Sequence, residues 1–64
     1  MPSRPADVYF EFVSHGAVVK ATAIDAHSGC EASIVAPSTS ARATLEQAAL
    51  RKLDYVLKKH RGEA

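Results

Sequence analysis

Sixty-four residues with 47% apolar side chains and a net charge of +1 describe one domain with no room for a second. A single cysteine excludes an internal disulfide. No apolar run is long enough for a signal peptide or a membrane span, so a cytoplasmic chain with a reduced thiol is expected. The core is thin, because 12 of the apolar residues are alanines and 17 larger apolar side chains remain beside Met1. Charge is mildly uneven. Residues 1–41 set Arg4 and Lys20 against Asp7, Glu11, Asp25 and Glu31; residues 42–64 set six basic groups against Glu46, Asp54 and Glu63.

Residues 1–6 hold two prolines and no periodicity and read as a tail. From Asp7 the pattern alternates strictly, with Val8, Phe10 and Phe12 on one side and Tyr9, Glu11 and Val13 on the other, which predicts a half-buried strand. Ser14-His15-Gly16-Ala17 interrupts it, and a second run follows from Val18 to Asp25. A two-residue loop at His15-Gly16, with Gly16 taking the positive φ, would make partner numbers sum to 31. Phe12 would then face Val19, Phe10 would face Ala21, and Glu11 would oppose Lys20 at the centre of the outer side. Asp25-Ala26-His27-Ser28-Gly29 reads as the next turn, and Cys30 to Ala36 as a third strand. A four-residue loop would set Ala23 against Ala32 and Ala21 against Ile34. Pro37 should stop that strand.

The last stretch, Ala41 to Arg61, carries Leu45, Ala49, Leu53 and Val56 on one line at 3.6 residues per turn, with Leu50 and Leu57 beside it. This predicts an amphipathic helix reaching about His60, with Gly62 as its stop. Ser38, Thr39 and Ser40 offer caps for a start near Ala41, whereas Thr44-Leu45-Glu46-Gln47 fits a capping box for a start near Thr44. The expected fold is α+β: a three-stranded antiparallel β-meander with one C-terminal helix packed on one face. The domain is expected over residues 7–61, with a second tail at 62–64.

Chemistry-bearing residues are few and scattered. His15 and His27 fall in turns at opposite ends of the central strand, about 30 Å apart at ~3.3 Å per residue, so they cannot share an ion. His27 and Cys30 supply only two ligands, and His60 ends the helix, so no metal site is expected. Neighbours such as Ser14-His15 and His27-Ser28 cannot aim at one another as a catalytic triad requires, and no Gly-rich phosphate loop occurs. The chain is expected to be neither an enzyme nor a cofactor carrier.

Two binding surfaces remain. The outer side of the sheet should carry Tyr9, Val13, Val18, Ile24 and Val35, more apolar than solvation needs. A homodimer or another protein partner would cover it, or would pair with a strand edge. The basic end of the helix, with Arg51, Lys52, Lys58, Lys59 and Arg61, is a surface for weak, sequence-blind contact with nucleic acid. Its simpler role is a solvated face, with Asp54 and Lys58 as an i,i+4 pair and His60 and Arg61 suiting the helix dipole.

The segments VYFEF, VVKATAID, SIVAP and LEQAALRKLDYVL resemble the pattern of a family of short alphaproteobacterial proteins known only as a domain of unknown function. The resemblance spans nearly all of residues 8–57. It implies a bacterial cytoplasmic origin and brings no activity, cofactor or site.

Overall fold

The computed structural model describes residues 7–60. Strands β1 (Val8–His15), β2 (Val18–Asp25) and β3 (Glu31–Pro37) form one antiparallel sheet in the order β1-β2-β3, and helix α1 (Arg42–His60) follows. The α+β meander expected from the pattern is the architecture found. The expected tails at 1–6 and 62–64, the Gly62 stop and Arg61 lie outside the described residues.

The first hairpin corrects the expected register. Partner numbers sum to 33: Phe10 faces Ala23, Phe12 faces Ala21 and Ser14 faces Val19. The loop is Gly16-Ala17, and Gly16 alone takes a positive φ, +66°. A positive φ at the first loop position only is the requirement of a type II′ turn, so His15 stays in the strand opposite Val18. The slip is two residues, so every side chain keeps its face while its partner changes. Glu11 therefore opposes Thr22 and Lys20 opposes Val13, and the two charges stand diagonally rather than as a direct pair.

The second hairpin has the expected register, with Ala21 against Ile34 and Ala23 against Ala32. Its four-residue loop is closed by the Asp25 amide donating to the Cys30 carbonyl at 2.9 Å, and by Gly29, at φ +79°, donating to the Asp25 carbonyl at 2.8 Å. The third strand runs Glu31–Pro37 rather than Cys30 to Ala36. Pro37 is accommodated opposite Val18 because it ends an edge strand, and the ladder continues past it through Ser38 donating to the Ala17 carbonyl. Helix α1 opens with Leu45 donating to Ala41, so the start near Ala41 holds and Thr44 lies inside the first turn.

The helix lies over β2 and β3. Ala21, Ala23 and Ala49 are fully enclosed where it crosses the sheet, and Leu45 and Leu53 are buried with Val19 and Ala32 around them. Small side chains on β2 let the helix approach closely. Val8, Phe10 and Phe12 on β1 are only half-buried, because the helix is displaced toward the other side of the sheet. No helix among the described residues is long and apolar enough to cross a membrane.

Candidate functional site

The outer side of the sheet is built by alternation. Rows of opposed residues cross it: Tyr9, Ile24 and Glu31; Glu11, Thr22 and Ser33; Val13, Lys20 and Val35; His15, Val18 and Pro37. Tyr9 is 61% exposed, Val13 56% and Val35 67%, with Val18 also exposed and Ile24 half-buried. The structure therefore places all five expected residues on this side but does not gather them into one patch. The Glu11, Thr22 and Ser33 row divides Tyr9 and Ile24 from the three valines. Thr22 is buried within it, and its hydroxyl shares a 2.8 Å hydrogen bond with that of Ser33. Lys20 stands between Val13 and Val35. The face is two apolar ends joined by a polar waist.

The basic residues of the helix are not gathered either. At about 100° per residue, Arg51 and Lys58 share one line of the helix, and Lys52 and Lys59 another, roughly a quarter-turn away. Lys58 lies 3.5 Å from Asp54, the expected i,i+4 pair. The Lys52 ammonium donates to the Ser33 carbonyl on β3 at 2.8 Å, and that of Lys59 sits 5.7 Å from the centre of the Tyr55 ring. Each of these three is already engaged within the fold, and Arg61 lies outside the described residues. At the other end of the helix, the Arg42 guanidinium stacks on Phe12 at 4.5 Å and reaches Glu46 at 3.5 Å.

Polar groups concentrate at the β2–β3 turn. The Ser28 hydroxyl donates to the Asp25 carboxylate at 2.7 Å, the Ser28 amide donates to the same oxygen at 3.2 Å, and the Ser28 oxygen accepts from the Cys30 amide at 3.1 Å. The Ser28 hydroxyl, assisted by the Ser28 and His27 amides and the charge of His27, holds Asp25 below the ordinary carboxylate range against the opposing effect of burial. His27 pairs with Asp7, just before β1, and the Ala26 amide donates to the Asp7 carbonyl. These contacts explain Asp25, His27 and Ser28 as a turn that ties both hairpins together. Among the described residues, no group of three or more His, Cys, Asp or Glu could hold a metal ion.

One concavity was not foreseen from the sequence. A groove of about 430 Å³ runs between β1 and the helix, lined by Val8, Leu50, Leu53 and Leu57 with Gln47, Arg51 and Asp54 at its rim. The signal for it lay in Leu50 and Leu57, which sit beside the main stripe rather than on it. Periodicity showed that they were apolar but not which strand they would leave uncovered.

The chain belongs to a family described as a domain of unknown function (DUF6898), whose model matches residues 5–60. No curated protein and no solved structure matches the chain.

Proposed function

We propose that this member of the DUF6898 family is a small, non-enzymatic, cytoplasmic interaction module, and that its partner surface is the uncovered side of the sheet. One observation carries the reading: Tyr9, Val13 and Val35 are each more than half exposed on a face that solvation alone would leave polar. A protein partner with apolar side chains at matching spacing would bury both ends of the face while its polar groups met the Glu11, Thr22 and Ser33 waist. Self-association, through this face or through a strand edge, is the simplest form of the reading. The dispersal of His15, His27 and His60 to separate turns and ends favours binding over catalysis. An alphaproteobacterial origin belongs to the same reading and rests on the sequence resemblance.

The test places two lysines on the face, Val13→Lys with Val35→Lys, on either side of Lys20. Both positions are exposed, so the melting transition should persist. A partner cross-linked in the native cell by the wild-type chain, or a second copy detected by sedimentation, should be lost with the double variant. Equal capture by both chains would rule out the open face as the partner surface. Salt-dependent binding of duplex DNA, with a log–log slope of about −3 to −4, would assign function to the basic helix end instead.

A further inference from the structure

The centre of the open face holds one acid and one base that do not meet. Glu11 lies in a row with Thr22 and Ser33, and Lys20 lies in the next, between Val13 and Val35. Both are exposed, and among the described residues neither side chain has a hydrogen bond or an ion pair. On the helix, by comparison, Lys52, Lys58 and Lys59 are engaged within the fold. Beyond the Glu11 row stands Ile24 with Tyr9, and beyond the Lys20 row stands Val18. Glu31, His15 and Pro37 occupy the rim. Down the centre of the face the order is therefore apolar, acidic, basic, apolar. Turned end for end, that order puts acid on base and apolar on apolar.

We propose that two copies of the chain meet through their open faces, as a two-fold dimer in which Lys20 of each copy pairs with Glu11 of the other. This rests on the open face being the partner surface, and it names the partner as a second copy. Two kinds of two-fold axis lie between stacked sheets. One runs along β2 and would set Lys20 against Lys20 of the second copy, a like-charge contact that costs binding energy. The other runs across the strands and crosses β2 at the level of Ala21. It carries the Glu11 row onto the Lys20 row and Ile24 onto Val18. Lys20 of the second copy then lies over Thr22, whose direct neighbour in the ladder is Glu11. Charge selects the second axis.

Stacked sheets sit about 10 Å apart, a gap that a lysine and a glutamate side chain bridge together. The contact is isologous, so both ion pairs form at once and the dimer closes. Three strands about 4.8 Å apart, with four rows about 7 Å apart, make a face of roughly 15 by 25 Å. That is small beside a standard interface, so the dimer is a weak one. Its charges fix register and choice of partner more than affinity.

The experiment is sedimentation equilibrium of the intact chain from about 10 μM to about 1 mM, at ~20 mM salt. The wild type should dimerise within that range. Glu11→Lys and Lys20→Glu should each weaken self-association by about tenfold or more, because each sets like charges together twice. An equimolar mixture of the two variants should recover a heterodimer, since each supplies the charge the other lost. Both reversals in a single chain should dimerise as the wild type does. Both positions are exposed, so these variants should fold, and recovery in the mixture cannot come from misfolded chains. Val13→Lys with Val35→Lys crowds three lysines onto each face and should abolish the dimer. A chain that stays monomeric at about 1 mM overturns the proposal and leaves the open face to a different protein. A dimer indifferent to either reversal overturns it, as does one that both reversals break and the mixture does not restore. If that dimer is lost to the lysine pair, the open face is still the partner surface in another geometry; if it survives, self-association lies elsewhere and both readings fail. Should a single reversal fail to fold, the chain carrying both decides alone, dimeric if the proposal holds and monomeric if it does not.

Discussion

The β3 side of the molecule is finished and the β1 side is not. Over β2 and β3 the helix encloses Ala21, Ala23 and Ala49 completely and buries Leu53, and Lys52 reaches past the packing to the outer strand. Over β1 the largest inner side chains, Phe10 and Phe12, stay half-buried, and a groove opens where Val8 faces Leu50 and Leu57. Size and burial are thus inverted. Small residues draw the helix onto the central strand by permitting close approach, and the phenylalanines are left to form a ledge. The well-packed side should hold most of the folding free energy, and the half-buried phenylalanines a smaller share of it.

The largest effect that could break this comparison belongs to Leu53. It is 1% exposed at the centre of the buried stripe, so Leu53→Ala should cost about 2–5 kcal/mol, most of what a domain of this size has. Phe12→Ala removes a larger side chain but only a half-buried one, together with the Arg42 stacking. It should cost about 1–2 kcal/mol. Urea unfolding of both variants checks the order. If Phe12→Ala proved the more damaging, the helix would lie nearer β1 than described and the ledge would be core.

What was legible in the sequence, and what was not, follows the same division. Alternation placed each strand to within two residues and assigned the inner and outer side chains correctly, because a period of two survives an even slip in register. The slip itself came from turn chemistry: Gly16 serves a II′ loop as its first residue, not its second. The Asp25–Gly29 turn was read correctly since its Asp and Gly mark both ends. Periodicity also showed which face of the helix is apolar. It carried no information on which strands that face would cover, so the groove and the bond from Lys52 to Ser33 emerged only in three dimensions. The five residues expected on the open face are there, but the register sets a polar row between them.

Next in size is a pH effect confined to the turn that joins the two halves. Asp25 is held below its ordinary value of 3.8 by the Ser28 hydroxyl first. A carboxylate with a lowered folded-state pKa contributes stability above its unfolded value, and that contribution fades as pH falls through the folded one. The wild-type urea midpoint should therefore drop below about pH 4 more steeply than that of Asp25→Asn, and the two slopes should match near neutrality. Parallel acid limbs would mean that the Ser28 bond does not discriminate between the charged and neutral carboxyl. The Ser28→Ala variant should shift the wild-type limb toward that of Asp25→Asn.

The smallest effects separate two lysines on the same helix. Lys52 donates to the Ser33 carbonyl at 2.8 Å and ties the helix to the outer strand. Lys58 meets Asp54 at 3.5 Å, with both side chains more than half exposed. A charged donor on a carbonyl in partly wet surroundings is worth about 0.5–1 kcal/mol, while an exposed i,i+4 ion pair is worth less than about 0.5. Lys52→Met should thus lower the urea midpoint measurably and Lys58→Met barely. Methionine keeps most of the stem packing in each case, which leaves the lost polar contact as the difference. Equal midpoints for the two variants would show that Lys52 does not tie the helix to β3 in solution.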